Sequence, residues 1–117
     1  MHDEQPPIFG TGKQSRDFTH IENVICANYL AATTPNIKHE VVNVANGKDN
    51  TVLELVAALN RIIGKNIQPK LLPIRKGDVF RTSADISKIG KLLGFKPLVN
   101  FEDGLKKTVG YFRDKWK

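Results

Sequence analysis

Apolar positions along the chain change period several times, and the changes mark out helices separated by short extended pieces. Ile21, Val24, Ile25 and Ala31 recur at helical spacing toward one side. They follow Thr19-His20-Ile21-Glu22, a capping box in which the Thr19 hydroxyl and the Glu22 carboxylate satisfy free amides at the helix start. The pattern stops before Pro35. A second box, Thr51-Val52-Leu53-Glu54, opens a helix whose stripe is Val52, Leu55, Val56, Leu59 and Ile63, with Gly64 as its stop. Asp85 caps a short helix over 86–93, closed by Gly94, and Asn100 caps the last one, with Leu105, Val109, Phe112 and Trp116 inward. Residues 39–44 are apolar and β-branched on successive positions, as in a strand covered on both faces. Residues 70–74 form another strand, with Pro73 at an edge or a strand end. Strand, helix and strand in this order imply a right-handed crossover between parallel strands. Nearer the start, Ile8-Phe9 and Arg16-Asp17-Phe18 are extended pieces joined by the turn Gly10-Thr11-Gly12, a hairpin. The expected class is α/β: a small helix-rich domain with a short parallel strand pair (βαβ) and a short N-terminal hairpin.

At 117 residues the chain, 1–117, is expected to be a single domain with one core. No apolar run is long enough to span a membrane, and residues 1–5 lack the pattern of a secretory leader. A single cysteine, Cys26, excludes an internal disulfide and suits a reducing, cytoplasmic setting. The net charge of +6 favours anionic partners. The basic residues are nevertheless scattered, with no run of five and no interleaved aromatic platform, so nucleic acid is not the expected partner.

Two patterns imitate known chemistry. Gly10-Thr11-Gly12-Lys13-Gln14-Ser15 has Pro7 and Gln14 where a phosphate loop needs Gly and Ser or Thr, and it lacks the third glycine of a dinucleotide fingerprint. Tyr111 and Lys115 keep the Tyr-x-x-x-Lys spacing of an acid–base pair, but they fall at the end of an amphipathic helix with no nicotinamide site in the sequence. A more coherent site lies where ligands gather in parallel α/β units, at the carboxyl ends of strands. Arg75 follows the strand 70–74 and offers a planar cationic fork for phosphate oxygens. Gly77 permits the turn that brings Asp78, an acceptor for a ribose hydroxyl, to the same place. Asn43, Ala45 and Asn46 stand at the matching end of the strand 39–44. Arg16 precedes the first capped helix, whose amide end also favours an anion. An Arg75–Asp78 surface ion pair is the plainer alternative.

The chain resembles the carboxyl-terminal part of the extended short-chain dehydrogenase/reductase family, specifically its NAD-dependent nucleotide-sugar epimerases and dehydratases, of the UDP-glucose 4-epimerase kind. The resemblance runs from Ile8 to Trp116. It is carried by the stretch from Phe9 through Arg16-Asp17-Phe18 to Ile21, by Val42-Asn43-Val44-Ala45-Asn46-Gly47, by Arg75-Lys76-Gly77-Asp78-Val79, by Ala84-Asp85-Ile86-Ser87-Lys88 and by Leu92-Leu93-Gly94-Phe95-Lys96-Pro97. It implies a UDP-sugar-binding domain that closes over a Rossmann domain holding NAD. It implies diphosphate contacts for Arg16 and Arg75 and a ribose contact for Asp78. The Rossmann half, with the NAD fingerprint and the catalytic residues, has no counterpart in the sequence. The expectation is therefore a weak UDP-sugar binder that neither binds NAD nor turns over alone, its Rossmann domain missing or separate, and that forms a weak homodimer. The alternatives are a non-catalytic assembly module docking on a separate NAD-binding subunit or self-associating, and a basic nucleic-acid-binding domain. The expected self-association surface includes Ile8, Phe9, Phe18 and Phe80. Arg81 and Ala45 stand where relatives often carry other residues.

Overall fold

The capping signals place three of the four helices correctly. The computed structural model describes residues 4–115. Its elements are β1 (Pro7–Phe9), β2 (Ser15–Arg16), α1 (Ile21–Thr33), β3 (Asn50–Thr51), α2 (Val52–Ile63), β4 (Lys70–Leu72), α3 (Ser87–Leu93) and α4 (Phe101–Lys115). At α2 both halves of the Thr51–Glu54 box form, and Gly64 closes the helix in the left-handed region. Asp85 Oδ1 accepts from Ser87 N at 2.8 Å at the start of α3, and Asn100 Oδ1 accepts from Asp103 N at 2.9 Å at the start of α4. In α4 Val109 is buried and Leu105 half-buried, while Phe112 is exposed and Trp116 lies outside the described residues.

The start of α1 departs from expectation. His20, not Thr19, is the N-cap, its Nδ1 accepting from Glu22 N at 3.3 Å. The Thr19 hydroxyl is turned toward Asp17, and Glu22 is drawn away to Lys107 at 2.6 Å. The inward face also differs. Asn23 and Ala27 are buried, with Cys26 and Leu30 packed on the same core, whereas Ile21, Ile25 and Ala31 face outward. This helix is apolar on nearly every side, so spacing alone could not select the face that turns inward.

The α/β class holds, with one short parallel pair and one antiparallel pair, but the partners differ from those expected. β1 pairs in parallel with β4, Ile8 opposite Leu71, and β2 pairs antiparallel with β3, Ser15 opposite Thr51. The two N-terminal pieces therefore do not form a hairpin with each other; the glycine turn sends them to different partners. Gly12 has φ +74°, and a Cβ there would sit 2.7 Å from Leu53 Cγ, so the turn admits no side chain at that point.

Residues 39–44 form no ladder. His39 takes φ +48°, and the run beyond it alternates: Val42 and Val44 lean on the core while Val41 is 83% exposed. Only one face is covered, and the expected crossover from this run to β4 is replaced by the β1–β4 pair.

The core is thin. Ala27, Ile89, Leu93 and Phe95 form its centre, and the molecule measures 51 × 37 × 18 Å. Its radius of gyration is 16.9 Å, against about 13 Å for a compact chain of this length. Its accessible surface is 8436 Å², about 2,000 Å² more than the scaling for a compact monomer of this mass gives. Among the described residues no helix is long and apolar enough to cross a membrane.

Candidate functional site

The loop 73–79 is exposed throughout, and it is pinned at both ends to the segment that carries Arg16. On its amino side, β4 lies along β1, and Gly10 N donates to Leu72 O at 2.8 Å. On its carboxyl side, Ser15 N donates to Phe80 O at 2.9 Å and Thr82 N to Ser15 O at 3.1 Å. Between these anchors Gly77, at φ +86°, turns the backbone, and Asp78 N donates to Arg75 O at 3.2 Å.

The turn brings the three singled-out residues to one cavity of about 440 Å³, lined by Arg16, Arg75, Lys76, Asp78, Phe9 and Gln14 among others. Three cations and one carboxylate give it an excess of positive charge. Arg75 lies with its guanidinium 3.5 Å from the centroid of the Phe9 ring, which fixes the plane of the fork. Arg16 donates from Nη1 to the Ser15 carbonyl at 2.7 Å and from Nη2 to Asp78 Oδ1 at 2.8 Å. The ion pair at this site therefore joins Asp78 to Arg16, not to Arg75 as the plainer alternative has it.

Phe9 and Gln14 are site residues that the sequence reading did not single out. Gln14 Nε2 donates to the Phe9 carbonyl at 2.7 Å and so stiffens the turn behind the aromatic ring. An aromatic residue directly before a glycine turn was the available signal.

Asn43, Ala45 and Asn46 do not join the cavity. Asn43 reaches the Asp85 carbonyl at 3.4 Å, Ala45 is buried, and the Asn46 and Gly47 amides are both held by the Asp17 carboxylate at 2.9 Å. The amino end of α1 does not face the cavity lining either. At α2, whose Val52 does line it, Val52 N and Leu53 N are already taken by the Gln14 and Gly12 carbonyls.

A larger recess of about 810 Å³ lies between α2 and the start of α4. Its charges are largely matched internally: Arg61 pairs with Glu102 at 2.7 Å, Asp103 with Lys106 at 3.1 Å, and Glu54 caps α2. It offers an anion less than the smaller cavity does. Among the described residues no group of three or more His, Cys, Asp or Glu is placed to hold a metal ion.

The glycine turn does not form a dinucleotide fingerprint. The Gly10–Gly12 turn runs into a strand rather than a helix, and the helix start beside it has its first amides occupied. Tyr111 and Lys115 do meet, Nζ to OH at 3.3 Å, but on the exposed end of α4 and outside the cavity lining.

Residues 1–108 match the model of the GDP-mannose 4,6 dehydratase family. Among curated relatives, UDP-glucuronate 4-epimerase of Thermodesulfobacterium geofontis is 37% identical over 97% of this chain and 35% of its own length. The UDP-glucose 4-epimerase of Mycolicibacterium smegmatis is 32% identical over 92% of this chain and 34% of its own length. Among solved structures, UDP-glucose 4-epimerase from Thermotoga maritima with UDP-glucose superposes with a TM-score of 0.91 at 38% identity, over 98% of this chain and 37% of that one. UDP-glucuronic acid 4-epimerase from Bacillus cereus, in complex with UDP-glucuronic acid and NAD, gives 0.90 at 35% identity, over 97% of this chain and 37% of that one. The chain thus spans about a third of the length of the curated relatives it matches.

Proposed function

The chain belongs to the GDP-mannose 4,6 dehydratase family, among the NAD-dependent epimerases and dehydratases, and from that premise we propose that it is the UDP-sugar-binding part of an epimerase-type activity whose NAD and catalytic groups a Rossmann partner supplies. The observation that carries this reading is the convergence of Arg16, Arg75 and Asp78 on one cationic cavity. In this reading Arg75, held flat on Phe9, presents two parallel N–H groups to the diphosphate. Arg16 exchanges its bond to Asp78 for a phosphate oxygen, which releases the Asp78 carboxylate to accept from a ribose hydroxyl. The chain binds and orients the nucleotide; no step of the sugar chemistry is assigned to it.

UDP titrated into the isotope-labelled chain tests this reading. Binding at about millimolar strength is expected, because one wall of the cleft must offset the whole association cost. The shifts should centre on Phe9, Arg16 and residues 75–78, and calorimetry with NAD should register no heat. Shifts gathered elsewhere refute the site. NAD-dependent turnover that vanished in Tyr111→Phe would overturn the dismissal of that pair.

The need for a partner is supported by the surface. Ile21, Ile25 and Tyr29 stand 60%, 59% and 67% exposed on one face of α1, four residues apart. Residues 40–44 extend nearby in sequence with their outer side open, a run whose composition suits a strand covered on both faces. A surplus of about 2,000 Å² exceeds the roughly 800 Å² that each side of a standard interface buries. The expected self-association patch does not survive as described: Ile8 is buried and Phe18 packs on Phe101 at 5.5 Å, leaving Phe80 exposed. The face of α1 replaces it. Without its partner the chain should self-associate weakly through that face, more strongly as salt screens the +6 charge. Sedimentation at two salt concentrations should show this, and Ile25→Glu should abolish it. A wild-type chain that stays monomeric throughout contradicts the docking account.

A further inference from the structure

One carboxylate outside the cavity ties together the two segments that furnish the cavity's charges. Asp49, just before β3, accepts from Arg81 Nε at 2.9 Å through Oδ2 and from Arg81 Nη2 at 2.8 Å through Oδ1. The Ser15 hydroxyl donates to the same Oδ2. Ser15 is buried and is the neighbour of Arg16, while Arg81 closes the loop that carries Arg75 and Asp78. Ser15 also bridges in parallel to Arg81 through the backbone. A strand residue, a loop residue and a carboxylate from a third segment thus meet at one point.

We propose that Asp49 and Arg81 act as a positioning pair for nucleotide binding, fixing loop 75–78 at the distance from Arg16 that a diphosphate requires. This rests on the reading of the cavity as the UDP site. The two parallel N–H···O bonds of an Arg–carboxylate fork set direction as well as distance. That matters here because residues 73–80 are all exposed, and the Arg75–Phe9 stack and the Arg16–Asp78 pair that hold them involve the very groups the ligand would engage. Asp78, the acceptor for ribose, lies three residues from Arg81, so tilting the fork moves it directly. Arg81 is largely open to solvent, at 67% of its side chain against 17% for Asp49, so the pair's share of global stability is modest and its loss should fall more on binding than on folding. The Arg81 hydrogen bonds, followed by that of Ser15, hold the Asp49 carboxyl well below the usual carboxylate range, so the fork stays charged through mildly acidic conditions.

UDP affinity and melting temperature measured side by side test the pair. Arg81→Ala and Asp49→Asn should each weaken UDP about fivefold, a partial loss expected when a binding group keeps its contacts but loses its support, and one that a millimolar ligand still allows to be measured. Melting should fall somewhat further than in Arg61→Ala, which breaks the more exposed Arg61–Glu102 pair, but less than in Asn23→Ala, which strands a fully buried set of backbone groups. Arg81→Lys, which keeps the charge but not the fork, should recover part of the affinity. Affinity within twofold of wild type in Arg81→Ala overturns the proposal. So does a loss of affinity that only follows a loss of stability in both variants. A wild-type chain whose UDP shifts fall away from Arg16 and residues 75–78 sinks the underlying site reading instead, before any variant is compared.

Discussion

Replacing Asn23 by Ala should destabilise the chain by about 3 kcal/mol and lower its melting temperature by roughly 10 °C or more. Asn23 is fully buried on α1 and makes three hydrogen bonds to one stretch of backbone. Its Nδ2 donates to Val99 O at 2.8 Å, and its Oδ1 accepts from Leu98 N and Val99 N, both at 2.9 Å. Truncation strands two amides and a carbonyl where water does not replace the lost partner, and a buried unsatisfied group costs about 1–3 kcal/mol. The bonds also join α1 to the residues just ahead of α4, so their loss loosens the contact between two helices. Asn23→Asp is the informative companion. It has the same shape and still accepts both amides, but its ionised carboxylate is buried without a countercharge and faces Val99 O, so it should recover stability only in acid, where the protonated carboxyl donates to that carbonyl. Thermal melts of both variants decide the matter: an alanine variant within 1 kcal/mol of wild type would show that the loop holds itself without Asn23.

What was legible in the sequence divides by range. Local signals read true because they are local: Thr51 and Glu54 cap α2 as their spacing requires, Asn100 caps α4, Asp85 holds the Ser87 amide although the N-cap of α3 falls one residue later at Ile86, and Gly64 and Gly94 end helices in the left-handed region. The clustering of the charged residues was legible too, since Arg75, Gly77 and Asp78 are a turn's length apart, and Arg16 came from the chemistry it shares with them. Strand partners were not. β1 is three residues long and meets β4 across more than sixty positions, and nothing in Pro7–Phe9 names Lys70–Leu72 as its partner. The run 39–44 misled because its composition describes a strand covered on two faces while the described residues cover one. The inward face of α1 was misread for a related reason: Asn23 is polar, and no apolar periodicity reveals a polar side chain whose partners lie 76 residues away. The Asp49–Arg81 fork was equally hidden, its two members being separated by β3, α2 and β4.

Arg75→Ala and Arg16→Ala should each carry UDP binding beyond detection while leaving the fold intact. A charge-assisted hydrogen bond contributes about 1.5–3 kcal/mol, a factor of roughly ten to a hundred. A ligand held at about millimolar strength to begin with cannot absorb that loss. Neither arginine supports the core: Arg75 lies on the Phe9 ring at the surface, and Arg16 reaches a neighbouring carbonyl and an exposed carboxylate. Asp78 separates a specific site from a general attraction of anions to a basic chain. In the free protein its carboxylate occupies the Arg16 guanidinium, so a phosphate must displace it. Asp78→Asn removes that competitor together with one negative charge from the cavity. Inorganic pyrophosphate, which has no ribose, should therefore bind Asp78→Asn more tightly than wild type. UDP should gain less or lose affinity, because its ribose hydroxyl meets a poorer acceptor. Shift titrations of the two ligands against wild type, the two alanine variants and Asp78→Asn measure this split. Equal responses to pyrophosphate and UDP in Asp78→Asn would take the ribose role from Asp78. Pyrophosphate binding unchanged by the loss of either arginine would return the positive charge of this cavity to ordinary surface solvation.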